Sequence, residues 1–314
     1  MRAFSFDEKP TSDLVSIVVP TYRGERFIAE TLESIGCQTY VNWELIVVED
    51  GSHDGTEKIV QDFARKYPSN RVDFSRSTEN RGVGPTRNSG FSKARGEFIA
   101  NLDCDDRWLS NHLSALVDAL KLSGKDIAYS STVMIEAETE LLLGVWGPKS
   151  KELSDFPQSL LGRCFITPSA TLFLRQVLTD VGLWSSSRYA EDYDFFLRCV
   201  AAGKRFEFVG GCHCLYRKNH AGAITQNLST VIENSAHVAQ RYMHIRGMRK
   251  KRSRRYVSGM YALAASFHAE SDSSEDPSVD RSRAPSLLRT AWRLRRMRID
   301  YLWKAKRIAK KHNG

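Results

Sequence analysis

The sequence has few cysteines and no long apolar run, and each absence excludes a class of protein. Only 6 of its 314 residues are cysteine, too few for a small disulfide-stapled scaffold. No segment reaches the roughly 18 consecutive apolar residues that span a bilayer. The first residues, MRAFSFDEKPTSD, lack the apolar core of a secretory signal. We therefore expect a cytoplasmic protein, either free or peripheral at the inner face of the cell membrane.

Proline and glycine, at 9 and 20 residues, are too infrequent for a collagen or a low-complexity chain. With 41% apolar and 10% aromatic residues, the composition also excludes an intrinsically disordered protein. A chain of this length forms one large domain, or one domain with an appendage.

Charge is distributed unevenly along the chain. The 46 Lys/Arg and 37 Asp/Glu leave a net charge of +9. Residues 241–314 hold 20 Lys/Arg against 6 Asp/Glu, whereas residues 1–240 hold 26 against 31. We therefore predict a catalytic domain over 1–240 and a basic extension over 241–314. The predicted catalytic domain is acidic and contains no recognised nucleic-acid-binding module, so we expect no nucleic-acid partner.

Short apolar strands alternate with amphipathic helices in the predicted catalytic domain. The patterns predict strands at 14–19, 43–48 and 96–102, and helices at 25–36 and 55–67. This alternation is typical of an α/β fold with a mostly parallel central sheet and helices on both faces. Ligands bind such sheets beyond the carboxyl ends of the strands, and each of these three strands ends in polar residues.

The first two strands end in residues that suit either a nucleotide or a simple turn. Thr21 offers hydrogen bonds and Tyr22 offers a flat face for a base, or the pair caps a helix and packs. Asp50 can accept hydrogen bonds from a base or a ribose, or it can begin an Asp-Gly turn.

The third strand runs into the acidic turn, which we define as residues 103–106 (Asp-Cys-Asp-Asp). Three carboxylates within four residues repel one another unless a cation is bound. Mg²⁺ and Mn²⁺ prefer carboxylate oxygens and usually share their coordination with substrate phosphates. The pattern favours a divalent-metal site over a solvated turn that caps a helix near 108–120.

Two further segments have open interpretations. Residues 80–90 (NRGVGPTRNSG) contain arginines that can meet a diphosphate, but they match neither the P-loop nor the dinucleotide fingerprint. Glu191 and Asp192 open a helix predicted near Tyr189. Carboxylates there either complement the helix dipole or supply a general base.

Taken together, these residues resemble the inverting glycosyltransferases of family 2, of the bacterial surface-polysaccharide type, which have the GT-A fold. The order and spacing of the motifs cover residues 15 to about 225. Thr86 departs from the usual Ala, and His220 lies one residue further from Arg217 than is commonest. The motifs are Val-Pro-Thr-Tyr at 19–22, Glu-Asp-Gly-Ser at 49–52, Asn-x-Gly-x-x-x-x-Arg-Asn at 80–88, Leu-Asp-x-Asp-Asp at 102–106, Glu-Asp-Tyr-Asp at 191–194 and Tyr-Arg with a following His at 216–220.

The resemblance implies a nucleotide-sugar donor, with UDP-sugars favoured, and a Mn²⁺ or Mg²⁺ cofactor. Asp105 would bind the metal with His220 as a further ligand, and Asp106 would support them. The implied nucleotide-binding residues are Thr21, Tyr22, Asp50, Arg87 and Asp103.

On the acceptor side, the resemblance implies that Asp192 deprotonates a hydroxyl group of a glycan or lipid-linked acceptor. Glu191 and Trp184 would contact this acceptor, with residues 167–171 nearby, although a core position suits Trp184 equally. The competing functions are a nucleotidyltransferase and a catalytically inactive, nucleotide-sugar-binding relative.

The basic extension begins with a helix predicted from 248 to about 268, followed by a polar linker around 270–285. A basic amphipathic helix is predicted from Ser286, with ten Lys/Arg after that residue. Such a helix suits an anionic membrane surface, or it packs its apolar stripe on the catalytic domain or on a second subunit. Both interpretations remain open at this point.

Overall fold

The computed structural model describes residues 4–219, 228–270 and 279–295. The strands within these residues form one nine-stranded sheet. They are β1 Thr11–Thr21, β2 Trp43–Glu49, β3 Val72–Arg76, β4 Gly96–Asn101, β5 Arg107–Trp108, β6 Ile127–Glu136, β7 Leu142–Trp146, β8 Thr171–Leu174 and β9 Phe206–Lys218.

The helices lie between the strands along the chain, and the last ones follow β9. They are α1 Ile28–Gly36, α2 Thr56–Lys66, α3 Val83–Phe91, α4 His112–Ser123, α5 Ser150–Ser154, α6 Gln176–Val181, α7 Glu191–Ala201, α8 Leu228–Tyr242, α9 Lys250–Glu270 and α10 Ala284–Arg295. Short 3₁₀ helices occupy Gln158–Gly162, Pro168–Ala170 and Arg281–Arg283. No helix in the described part of the chain combines the length and the apolar character needed to cross a bilayer.

The parallel half of the sheet has the order β3-β2-β1-β4. Its strands are aligned so that their carboxyl ends meet at one edge: Thr21 lies opposite Glu49, and Val18 lies opposite Asn101. The Asp50 N–H donates to the Thr21 carbonyl at 2.8 Å, which closes this edge. The polar residues that follow β1, β2 and β4 are therefore brought together, as the alternating pattern predicts.

Beyond β4 the sheet is mixed. β8 is antiparallel to both β4 and β6, whereas β6 and β9 are parallel and β5 is antiparallel to β9. The predicted α/β architecture is confirmed, with the continuous parallel part confined to its first four strands in space.

The helix predicted near 108–120 starts later than expected. Trp108 belongs to β5, where it pairs with Cys214, and its indole N–H donates to the Ser169 carbonyl at 2.6 Å. α4 begins only at His112. A two-residue strand exists through its partner strand, so the local helical periodicity was overridden by tertiary pairing.

The described chain forms two compact units. Unit 1 comprises 4–148, 165–195 and 202–219 and contains the sheet; unit 2 comprises 149–164, 196–201, 228–270 and 279–295. Whether residues 1–240 fold as a catalytic domain by themselves stays a prediction.

Unit 2 contains the described half of the predicted amphipathic helix. Leu287, Leu288 and Ala291 of α10 are buried, and the Ser258 hydroxyl of α9 donates to the Ala291 carbonyl at 2.8 Å. The apolar stripe of α10 thus packs on α9, and α10 begins inside the predicted linker. Residues 296–308 of the predicted helix lie outside the described residues.

Candidate active site

A cleft of about 710 Å³ opens at the carboxyl ends of β1 and β2, between Tyr22 and Gly51. Tyr22 is 43% exposed there, so a face of its ring is accessible to a ligand. The Arg23 guanidinium carbon lies 5.2 Å from the centre of that ring. The volume is within the range of pockets that hold small molecules and cofactors.

The two loops that form the cleft are bonded to each other. The Ser52 hydroxyl accepts the Arg23 N–H at 2.8 Å, and the Asp54 carboxylate accepts the Glu25 N–H at 3.0 Å. Ser52 also donates to the buried Glu49 carboxylate, whose pKa is raised by burial. These bonds fix the walls of the cleft before any ligand binds.

Asp50 and Thr21, both predicted to bind the nucleotide, are buried beside the cleft. The two carboxylate oxygens of Asp50 accept the N–H groups of Arg81 and Gly82 at 2.9 and 2.8 Å. A Cβ on Gly24 would collide with the Thr21 hydroxyl. In this structure, Asp50 therefore holds the loop that leads into α3, and Thr21 packs beneath the loop after β1.

Arg87 connects the two acidic parts of the site. Its side chain is 2% exposed and donates to Asp103 at 2.6 Å and to Glu191 at 2.9 Å. Its guanidinium carbon lies 4.6 Å from the centre of the Trp184 ring. Burial lowers the pKa of Arg87, but the two carboxylates outweigh this effect and raise it overall. The end of β4 is thereby tied to the start of α7.

The two adjacent acids at the start of α7 have different surroundings. Glu191 is buried against Arg87, and burial raises its pKa, with the charge of Asp192 acting in the same direction. Asp192 is half-buried, and its carboxylate accepts the Tyr193 N–H at 2.6 Å. Burial also raises the pKa of Asp192. Asp192 is thus the more accessible of the two and a stronger base than an ordinary aspartate.

Ala190 precedes these acids with a φ of 58°. The backbone of a residue other than glycine is strained in this left-handed region, at a cost of about 1–3 kcal/mol. Such strain is concentrated at functional sites. The strained residue sets the entry of the chain into α7.

The acidic turn is held from below by Asp106. This residue is fully buried, and its carboxylate accepts the Ser169 hydroxyl at 2.5 Å and the Arg217 N–H at 3.0 Å. Burial raises the pKa of Asp106 well above its usual range, with Asp105 and Asp103 as further causes. The Arg217 side chain donates to the Asp105 carbonyl at 3.0 Å. Asp105 itself is half-buried.

Tyr216 lies close enough to the acidic turn and to Asp192 to interact electrostatically with both. Burial raises the pKa of Tyr216 well above its usual value, and the charges of the acidic turn and of Asp192 raise it further. Together with the Arg87 bridge, this brings Asp105 and Asp192 into one region of unit 1, although they are far apart in the sequence.

The acidic turn fits a metal that a substrate helps to hold. No group of three His, Cys, Asp or Glu suited to a metal is present in the described part of the chain. His220, the predicted further ligand, lies outside the described residues. Asp106 uses both carboxylate oxygens in hydrogen bonds, and Asp103 shares one with Arg87. Mg²⁺ is usually bound by one or two carboxylates together with phosphates, so Asp105 is the described residue of this turn that would hold such an ion.

Trp184 occupies the core position that the sequence left open. It is 3% exposed, and its ring stacks on Phe195 with 4.8 Å between ring centres. Its backbone exchanges two hydrogen bonds of 2.9 Å with the Asn88 side chain. The ring supports Arg87 from beneath, and its contact with an acceptor stays a prediction.

Ser169 was missed as a support of the acidic turn. Its position suggested the acceptor side, but it is fully buried and binds Asp106 and the Asp103 N–H. A lone serine after a proline carries no local signal for this role, because its partners lie more than 60 residues earlier in the chain.

Comparison with protein families and sequences identifies relatives for this arrangement. The model described as glycosyl transferase family 2 matches residues 16–182. An uncharacterized glycosyltransferase of Rickettsia typhi is 33% identical over 196 residues, which cover 60% of this chain and 58% of the relative. A UDP-Glc:α-D-GlcNAc-diphosphoundecaprenol β-1,3-glucosyltransferase of Escherichia coli is 34% identical over 122 residues, covering 39% and 47%. The matches thus span less than two thirds of these relatives.

Two solved structures share the fold. S. aureus TarS 1–349 in complex with UDP-GlcNAc has a TM-score of 0.65 and 18% identity, covering 89% of this chain and 82% of the TarS chain. A mannosyltransferase of Pyrobaculum calidifontis in complex with GDP-Man and Mn²⁺ has a TM-score of 0.56 and 20% identity, covering 96% and 85%. At these identities the likeness establishes a common fold.

Proposed function

Since the chain belongs to glycosyl transferase family 2, we propose that it moves a sugar from a nucleotide-sugar donor to a hydroxyl group of a glycan or lipid-linked acceptor. The product would belong to a cell-surface polysaccharide. The observation that carries this proposal is the Arg87 bridge between Asp103 and Glu191, because it ties the acidic turn to the helix that presents Asp192.

The cleft beside Tyr22 supports a donor site. The half-exposed ring of Tyr22 offers a surface on which a base can stack. UDP-sugars are the favoured donors: the E. coli relative is named for UDP-Glc, and TarS was solved with UDP-GlcNAc. The archaeal neighbour, whose structure contains GDP-Man, is the more distant of the two structures by TM-score.

Asp105 and His220 would hold Mn²⁺ or Mg²⁺ together with the donor diphosphate. When bound, the ion supplies Lewis-acid stabilisation of the charge on the departing diphosphate. Ser169 and Asp106 position the acidic turn for this purpose, since Ser169 accepts the Asp103 N–H and donates to the buried Asp106 carboxylate.

Asp192 is the proposed general base. It accepts the proton of the acceptor hydroxyl while that oxygen forms a bond to the anomeric carbon. The bond from this carbon to the donor diphosphate breaks, and the leaving group takes the electron pair. A single displacement from the opposite face inverts the anomeric configuration and needs no enzyme nucleophile. The raised pKa of Asp192 favours this role because it makes the carboxylate more basic.

Arg87 and Asp50 act as positioning residues in this proposal. Arg87 is buried and donates to two carboxylates, so its charge is directed at the protein's own acids. Asp50 is engaged with the backbone of the loop before α3. Both residues keep the donor cleft, the acidic turn and Asp192 at fixed distances from one another. Direct contacts of Arg87 and Asp50 with the nucleotide stay predictions.

A donor survey tests the proposal. The full chain is incubated with UDP-, GDP- and dTDP-sugars and Mn²⁺, and release of the nucleoside diphosphate is measured with and without glycan acceptors. We expect release from at least one donor, with UDP-sugars preferred. Binding of UDP without turnover of any donor would indicate an inactive relative. Pyrophosphate release from a nucleoside triphosphate and a sugar phosphate would indicate a nucleotidyltransferase.

A further inference from the structure

The N-terminal end of α9 has a dense, exposed cluster of cations. Residues 246–255 contain seven Lys/Arg and no acid. We define the α9 basic patch as Lys250, Lys251, Arg254 and Arg255, all of which are exposed.

Arg249, which immediately precedes α9, and Arg252 in its first turn have partners inside unit 2. The buried Asp155 carboxylate accepts from Arg249 at 2.5 Å, from Arg252 at 2.6 Å and from the Tyr256 hydroxyl at 2.9 Å. In the described residues, no acid forms an ion pair with a member of the α9 basic patch. Asp155 therefore accounts for Arg249 and Arg252, whereas the four cations of the α9 basic patch have no acidic partner in the part of the chain that the structure describes.

Helix stability does not explain these four cations. They lie at the N-terminal end of α9, where the helix dipole favours negative charge. Lys250 with Arg254, and Lys251 with Arg255, are like charges four residues apart, which repel across one turn. A cluster that opposes its own helix on both counts is best compensated by an anionic surface outside the protein.

The surroundings of the patch favour a lipid surface over a nucleic acid. Leu263 of α9 is 50% exposed, so this helix presents an apolar side chain to solvent as well as cations. Tyr256, the aromatic residue beside the patch, is half-buried and bonded to Asp155, so it offers no free ring on which bases stack. An interfacial helix combines cations for headgroups with apolar side chains for the acyl boundary.

We propose that the α9 basic patch docks on a bilayer surface rich in anionic phospholipid. The stripe of α10 cannot serve in its described half, because Leu287, Leu288 and Ala291 are buried against α9. The biological purpose rests on the proposed function, since docking would keep the enzyme beside a lipid-linked acceptor.

Vesicle co-sedimentation of the full chain tests this docking. We expect binding to phosphatidylglycerol-containing vesicles, weak binding to pure phosphatidylcholine, and loss of binding at high salt. The combined variant Lys250→Gln, Lys251→Gln, Arg254→Gln, Arg255→Gln should weaken vesicle affinity roughly 100-fold or more, since each cation near an anionic surface adds attraction. A thermal melt checks that the variant is folded.

The matched control removes four exposed cations of unit 1, with Lys58, Arg65, Lys66 and Arg95 changed to Gln. It should retain vesicle binding; an equal loss would show that net charge alone acts and would overturn the proposal. Loss of oligonucleotide binding with unchanged vesicle binding in the patch variant would also overturn it. Transfer to a soluble acceptor is measured in parallel. Vesicle binding without transfer would reject the proposed function and leave the docking intact.

Discussion

Two neighbouring acids, Glu191 and Asp192, have different chemistry because of where their side chains lie. Glu191 is buried and forms an ion pair with Arg87, so its carboxylate holds the Arg87 side chain in place. Asp192 is half-buried and has a raised pKa, so its carboxylate can accept a proton from a substrate. Environment, not residue type, separates the two roles.

Asp192→Asn should lower kcat by about 10²–10⁴-fold, because the amide cannot accept the proton of the acceptor hydroxyl. In the wild type, kcat/KM should fall as the pH drops through the pKa of Asp192, since only the ionised form is a base. Burial raises this pKa, so the fall occurs at higher pH than for a free aspartate. Steady-state rates across pH measure both effects.

The control for this variant is Asp118→Asn, at an exposed position on α4 that should not affect the rate. Donor affinity, measured by calorimetry with UDP, should be unchanged in Asp192→Asn. Near-normal turnover of Asp192→Asn would remove this residue from the mechanism.

Asp105→Ala should make donor binding independent of divalent metal. In the wild type, Mn²⁺ should tighten UDP binding and EDTA should weaken it, because Asp105 would hold the ion together with the donor diphosphate. Calorimetric titrations with and without Mn²⁺ measure this difference, and Asp118→Ala serves as the control. An unchanged metal response in Asp105→Ala would reject the assignment.

At the scale of elements, α3 determines how closely the parts of the site approach. Its glycines allow this: a Cβ on Gly90 would collide with Val18 of β1, and a Cβ on Gly84 with the Ser185 carbonyl. Arg87 and Asn88 lie between these glycines and contact Glu191 and Trp184. The small residues thus set the distance between the sheet edge and the start of α7.

Gly84→Ala should push the segment around Ser185 away from α3 and disturb the Arg87 bridge. We expect a loss of about 1–3 kcal/mol in the free energy of unfolding from overpacking. A misplacement of about 1 Å can cost roughly 100-fold in rate, so kcat/KM should fall strongly. Urea unfolding and steady-state kinetics measure the two effects. Gly210→Ala is the matched control, because a Cβ there meets nothing within 4 Å; equal effects in both variants would contradict this account.

Leu288→Ala should destabilise unit 2, because α10 is held on α9 mainly by its buried apolar stripe. Removing a buried leucine side chain typically costs about 2–5 kcal/mol, measured here by urea unfolding. The neighbouring Arg289 is exposed, so Arg289→Ala should change the stability by less than about 0.5 kcal/mol. A similarly small effect of Leu288→Ala would indicate that α10 contributes little to unit 2.

At the scale of the whole molecule, charge separates along the chain, with a net +14 over residues 241–314 and −5 over residues 1–240. If the basic residues 241–314 attach the protein to a membrane, added salt should change the rate only of reactions that take place at a membrane. We expect raising NaCl from about 0.05 to about 0.5 M to slow transfer to a vesicle-embedded acceptor, because exposed charges are screened. Transfer to a soluble acceptor should change little. Equal salt effects on both reactions would contradict this separation.

The predicted family and GT-A fold are confirmed by the family match and by the structural neighbours. They could be predicted because β1 and β2 are continuous apolar runs that end in recognisable motifs. β3 and β5 are among the strands that were not predicted: β3 is short and half-buried throughout, and β5 consists of two residues defined by β9. Neither has a periodicity of its own that sequence analysis could detect.

The sequence by itself determined which acids are present and in what order, because motif spacing is a local property of the chain. Only the tertiary structure decided what they face. Arg87 reaches Glu191 across 104 residues, and Asp106 reaches the Arg217 N–H across 111. The orientation of a buried polar group is set by whichever partners can satisfy it, and here those partners come from distant segments brought together by folding.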